Sequence, residues 1–460
     1  MNRYLFANAL YLAADENGLP VLRKGYVAVE ADKIIAISEA APSGSAFADF
    51  ERIDASDKVL SPGLINAHNH AVLMVLRGTV EDIDGNLVYQ YMVPASYLLT
   101  PEERAAIAQL ACLEAIRCGT TTIVDPLRHV ADYAEAMADS GLRLYLCESA
   151  ADAVTTKVSR EGYRFDREWG ETFLTRTRDL IDRYHGAENG RVQAMIAAHA
   201  PDNCSPWMLR ELNALAGRHG LRRTIHLSQI ASEVRQVEAL HGKTSTEYLR
   251  ENDWLGDDLL AVHWTFCTEG DVEILAEHDV HFIHSPASMS AKGPHQLPIR
   301  AILDADINIA LATDNMTTDI FQSMKMALVL HRGAYGRSVQ PSPQKVFRYA
   351  TQNAAKALGR ADLGRIAVGA KADLALFDLR TPALVPRVSL VSNIVHYGHP
   401  GIVTDVMVDG RFLMRDREVL TLDERTVTQA AQDVTEAMWS RFRAQEEGVE
   451  MPFSDSHLSN

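Results

Sequence analysis

What most constrains this chain is a rhythm of short apolar bursts separated by longer helical stretches, setting in near Val59. The bursts occupy residues 60–67, 120–125, 142–147, 192–198, 223–227, 259–263, 281–284 and 307–312. Each is too short for a core helix and apolar on both faces, so each reads as a strand covered on both sides. Eight such strands alternating with helices predict an α/β fold of the (β/α)8 barrel type. The helix before the second strand has legible ends. Thr100-Pro-Glu-Glu103 offers a capping hydroxyl, a proline at the first helical position and a glutamate three residues after the cap, and Gly119 stops the helix. Ile107, Leu110 and Ala111 recur at helical spacing and are expected to pack on the barrel.

Both ends of the chain have a different texture. Gly25-Tyr-Val-Ala-Val-Glu30 and Lys33-Ile-Ile-Ala-Ile-Ser38 read as short paired strands, with turns at Glu16-Asn-Gly and Ala31-Asp-Lys. The same style returns in Ala372-Asp-Leu-Ala-Leu-Phe-Asp378 and from Val403 to Phe412. The expected organisation is therefore a small β-sandwich built from 1–59 plus 365–422, with the barrel, 60–364, inserted between its halves. Residues 423–460 would add a terminal amphipathic helix and a tail.

Composition narrows the partners. Lys+Arg number 45 against 61 Asp+Glu, a formal charge of −16, which repels phosphate backbones and argues against nucleic acid. No apolar run approaches the ~18 residues that a membrane span requires. The apolar stretch from Tyr4 to Ala14 lacks a small-x-small cleavage site and reads as a first strand rather than a secretory core. Five scattered cysteines, an odd number, fit a reducing compartment, so a cytoplasmic location is expected.

The chemistry concentrates in Ser61-Pro-Gly-Leu-Ile-Asn-Ala-His68-Asn-His70. Histidines two apart on a strand share a face, so both imidazoles can reach one ion. His226, His263 and Asp314 fall at the carboxyl ends of the fifth, sixth and eighth bursts, the face where barrel enzymes carry their sites. Imidazole suits zinc, iron, cobalt and other borderline divalent ions, and such an ion lowers the pKa of bound water towards ~7. Asp314 could then accept a proton, and His263 could orient the water.

These motifs resemble the amidohydrolase superfamily. The resemblance is carried by residues 62–70, Gly119-Thr-Thr-Thr-Ile-Val-Asp125, His199-Ala-Pro, His226, His263, His284-Ser-Pro, Ala312-Thr-Asp314 and Leu363-Gly-Arg-Ile-Ala-Val-Gly-Ala-Lys-Ala-Asp373. The nearest branch is the one holding cytosine, guanine and S-adenosylhomocysteine deaminases and the triazine hydrolases, and the match runs in order to about residue 415. The resemblance implies a metal-dependent hydrolase of a small molecule with His68, His70, His226 and Asp314 as ligands and His263 beside the metal-bound water. It also implies a homo-oligomer, a dimer or higher. Many members hold two metals through a carboxylated lysine on the fourth strand. Residues 192–199 contain no lysine, so one divalent ion is expected, zinc ahead of iron, cobalt or manganese. Glu148 could bridge to a second ion, although a helix-capping or solvated role is the preferred reading.

Two departures steer the choice of substrate. The branch's deaminases carry glutamate three residues after the fifth-strand histidine, where this chain has Gln229, an amide that cannot exchange a proton. Glu233, one turn on, could replace it but reads better as an exposed helix residue. Asn315 stands where glycine or serine is usual. Further substrate-contact candidates are His199, Trp264, Tyr91 and Met289, with Tyr89 and Trp207 as other pocket aromatics. The missing glutamate favours an amide, urea or carbamate substrate, as in phenylurea hydrolases. The alternative is a deaminase or dechlorinase of a triazine, pyrimidine or purine, and a more remote one is a silent scaffold.

Overall fold

The computed structural model describes residues 2–42, 47–83, 86–291, 297–336, 341–445 and 452. Eight parallel strand positions form the barrel: Leu64–Asn66, Thr120–Leu127, Arg143–Ala150, Ile196–Ala198, Arg223–Leu227, Leu259–His263, His281–His284 and Ile309–Leu311. The ring closes where the Ala67 N–H donates to the Leu311 carbonyl (3.0 Å) and Asn69 bridges Asp314. Inside it Ile65, Val124, Tyr145, Met195, Leu260, Val262, Ile283 and Ala310 pack as one apolar cluster, a filled core and not a pore.

The first burst turns out to be two strands. Lys58–Pro62 pairs antiparallel with Leu374–Asp378 in the terminal sheet, and only Leu64–Asn66 enters the barrel. Gly63 makes the transfer possible. A Cβ there would sit 2.2 Å from the Thr121 side chain, so no larger residue fits between the sheets. The fourth burst also divides, into Val192–Ala194 and Ile196–Ala198, around Met195.

Strands from the two ends of the chain join in one continuous nine-stranded sheet with Arg3–Ala14 near its middle. The N-terminal apolar run is thus a strand. This sheet closes over its own core, including Phe6, Val27, Ile34, Leu60, Leu374 and Met407. Its seam with the barrel is fastened by Arg143 at the start of the third barrel strand. That guanidinium is fully buried, with Nε 2.8 Å from Asp373 and Nη2 2.6 Å from Asp409.

Pro101–Arg117 begins with the expected reciprocal cap between Thr100 and Glu103. Ile107 and Ala111 are buried and Leu110 is partly so. The terminal helix Glu424–Gln445 lies against it, tied by Arg117 to Glu424 and by Arg441 to Glu103, with Met438, Trp439 and Phe442 buried. All five cysteines are free and buried, and no described helix is long and apolar enough to cross a membrane.

Candidate metal centre and its cavity

The carboxyl ends of the barrel strands deliver the polar side chains to one place. His68 Nε2 lies 3.2 Å from His70 Nε2, which lies 3.3 Å from His226 Nε2. Asp314 Oδ1 stands 3.6 Å and 3.4 Å from the first two nitrogens. Donor atoms about 2.0–2.1 Å from a tetrahedral ion are separated by roughly 3.3–3.4 Å. A neutral imidazole has one N–H and one lone pair, so three converging Nε2 atoms and a carboxylate cannot all satisfy one another. A divalent cation at their centre can satisfy all four, and the donor set fits one.

Each donor is aimed by its surroundings. His226 Nδ1 is 2.6 Å from the His199 carbonyl and donates to it, which turns the Nε2 lone pair towards the cluster. The His-x-His segment is pinned by Asn69 N–H to the Val124 carbonyl (2.8 Å) and His70 N–H to the Asp314 carbonyl (2.7 Å). Asp125 accepts from Ala71 N–H and the Tyr133 hydroxyl, both at 2.7 Å, and burial pushes its carboxyl up to about 6. Asp314 Oδ2 accepts from the Ser288 hydroxyl and from Asn315 Nδ2 (3.2 Å), leaving Oδ1 towards the histidines. His263 forms a second close group with His68 and Asp314, and its ring stacks on His226 at 5.5 Å. His263 (φ 83°), Trp264 (φ 53°) and Asp314 (φ 71°) all adopt left-handed backbone, so conformational strain gathers where the cluster sits.

Above the cluster opens a narrow cavity. His70, His226 and Asp314 form its floor, His199, Gln229 and Asn315 reach its wall, and Leu73, Met92, Val93 and Leu127 make an apolar side. Part of that side comes from Val88–Met92, a π-helical turn running into the helix Val93–Leu98. Wide turns of this kind are frequent at functional sites.

Several expected contacts lie elsewhere. Trp264 is completely buried against Phe282, because its own left-handed backbone turns the indole into the barrel wall. Tyr91 points backwards and stacks on Phe442 (5.8 Å). Met289 is buried on the helix Pro286–Ala291, away from the cavity wall. Tyr89 donates to Asp202 at 3.0 Å, and Trp207 lies under the Arg167 guanidinium. Large rings were spent on packing.

Glu233 is not an exposed helix residue. It is 2% exposed and accepts from the backbone N–H groups of Ser228 and Gln229, both at 2.7 Å, so it shapes the loop that carries Gln229. Burial pushes its carboxyl up to about 8. Glu148, also buried, accepts from His129 and Val130 N–H at 3.0 Å each. This is a capping role, and burial raises its carboxyl to about 7.

Sequence reasoning missed Arg128 and Ser149, which line the cavity from the second and third strands. It also missed the buried Asp202 and Asn203 and the half-buried Tyr163, which hold His199 and Tyr89. Nothing in the one-dimensional pattern sets Arg128 apart from a basic loop residue.

Residues 59–413 match the amidohydrolase family. A 5'-deoxyadenosine deaminase of Methanosarcina barkeri is 33% identical over 429 residues, covering 92% of this chain and 95% of the relative. A 5-methylthioadenosine/S-adenosylhomocysteine deaminase of Thermococcus sibiricus is 35% identical over 367 residues, 79% of this chain and 84% of that one. The crystal structure of an adenosine deaminase from Xanthomonas campestris with bound zinc shares the fold at a TM-score of 0.84 and 25% identity. It covers 95% of this chain and 98% of that one. The leaning towards amide, urea or carbamate substrates finds no support among these proteins. The heterocycle alternative is the better supported.

Proposed function

From the chain's membership of the amidohydrolase family, which makes it a metal-dependent hydrolase of carbon–nitrogen bonds, we propose that it is an aminohydrolase of an adenine-type heterocycle. Water replaces the exocyclic amino group, the ring carbon gains oxygen and ammonia leaves. The observation that carries this reading is the three-histidine, one-aspartate cluster at the floor of a cavity with one apolar side.

His68, His70, His226 and Asp314 would hold one divalent ion, zinc ahead of iron, cobalt or manganese. Such an ion lowers the pKa of water and so supplies hydroxide at neutral pH. Asp314, with Oδ2 anchored by Ser288 and Asn315, takes the proton from the attacking water and returns it to the leaving nitrogen. His263 orients the attack from the side of His68. Burial keeps the His199 ring neutral, and its Nδ1 accepts from Asn203 at 2.5 Å, so Nε2–H remains to donate to a ring nitrogen. Gln229 can donate to the heterocycle or accept from its amino group but carries no exchangeable proton. Asp314 therefore serves both proton transfers.

The test is ammonia release by the metal-loaded enzyme from adenosine and 5'-deoxyadenosine, beside phenylurea and carbamate controls. Ammonia from the purines supports the reading. Organic amine from the controls, with no ammonia from any aminoheterocycle, overturns it. Gln229→Glu installs an acid beside the leaving nitrogen and should preserve or raise kcat for deamination, by up to roughly 10²-fold. A fall in kcat would give Gln229 a role that a carboxyl cannot fill.

A further inference from the structure

Arg128 follows the second barrel strand and Ser149 lies in the third. The parallel register pairs Leu127 with Glu148, so the next residues, Arg128 and Ser149, emerge side by side at the cavity wall. Both are buried, at 3% and 1% exposure. Arg128 Nε and Nη2 and the Ser149 hydroxyl have no hydrogen-bond partner among the described residues, and Arg128 forms no ion pair there. A buried guanidinium with unfilled N–H groups and no ion pair is costly, and native proteins seldom retain one without a use.

Glu148 is close enough for its charge to act on Arg128 through space, but among the described residues no side chain fills the arginine's fork. Glu148 has its oxygens committed to the His129 and Val130 N–H groups and is approached by Arg176 at 3.8 Å. Tyr97 places a neutral phenol near it, and His199 is uncharged. The planar fork of the arginine matches the two oxygens of a carboxylate, and the serine hydroxyl adds a third donor. The wall beside this pair, Pro126 and Leu127, is apolar.

We infer that Arg128 and Ser149 form a subsite for a carboxylate carried by the substrate, away from the carbon that loses its amino group. This rests on the aminohydrolase reading only in placing the substrate in this cavity. Arg128 is then the residue that sets specificity, selecting an acidic substrate over its neutral analogue. The residues that would hold the metal would serve either substrate alike.

Equilibrium binding of benzoate and benzamide to the metal-loaded enzyme tests the subsite without asking which bond is cleaved. Benzoate should bind about ten- to a hundredfold more tightly, as charge-assisted pairs do. Arg128→Met should erase that preference while Tm stays level or rises, since buried N–H groups without partners have been removed. Arg128→Lys should restore part of it. Equal binding of the two probes by the wild type overturns the proposal. So does a benzoate preference that survives in Arg128→Met, which would place the carboxylate on the metal. A fall in Tm with loss of both probes would make Arg128 structural and also overturn it. With kinetics, adenosine-5'-carboxylate and adenosine should differ mainly in KM, and Arg128→Met should close the gap. If neither nucleoside releases ammonia while the benzoate preference stands, the subsite survives and the aminohydrolase reading does not.

Discussion

Two arginines, one strand apart, mark the two ends of the barrel. Arg143, at the lower end of the third strand, is fully buried and bound by Asp373 and Asp409. Arg128, at the upper end of the second, is nearly as buried and has neither an ion pair nor a filled fork. Burial with compensation builds a joint, whereas burial without it leaves a charge available to a ligand. The same division separates the lower face, which serves stability, from the upper face, which serves chemistry.

The comparison breaks most visibly if the upper face proves structural. His226→Ala should abolish metal content and turnover while the protein stays folded, since the barrel core of Ile65, Val124 and Leu260 does not depend on that ring. Metal analysis beside circular dichroism checks both halves of the claim, and full metal retention would remove His226 from the ligand set. At the lower face Arg143→Met should do the opposite. It strands two carboxylates at a seam and should cost about 3–5 kcal/mol of stability, read by denaturant unfolding. Turnover per folded molecule should be unchanged. An equally stable Arg143→Met protein would dissolve the contrast between the two arginines.

The smallest effect concerns Glu148, beneath the open subsite. Burial holds its carboxyl at about 7 against an ordinary value near 4.5, so the folded chain binds this proton more tightly than the unfolded one. Its contribution is complete below about pH 4.5 and is lost as pH rises through 7. Thermal unfolding across that window should show Tm falling with pH, and Glu148→Gln should flatten part of the slope. An unchanged slope would assign it to other groups.

The upper face was readable where its logic is one-dimensional. A histidine that ends an apolar burst is visible as a pattern, and His68, His70, His226, His263 and Asp314 converge because strand ends do. The division of the first burst at Gly63 was not readable, since it depends on Thr121 approaching from far along the chain. Trp264, Tyr91 and Met289 misled because an aromatic or long apolar side chain near a rim has the same composition whether it faces inward or into a cavity. Glu233 misled and Arg128 was passed over. Only packing shows that the first is committed to backbone N–H groups and that the second is buried with Nε and Nη2 unfilled.

Chain ends usually drift freely because nothing leans on them. Here Phe442 stands behind Tyr91, next to the Met92 that lines the cavity, and Arg441 pairs with Glu103 on the adjoining helix. The terminal helix acts as a backstop for the pocket. Variation at Trp439 or Phe442 can therefore reach the cavity wall through Tyr91 and the neighbouring Met92.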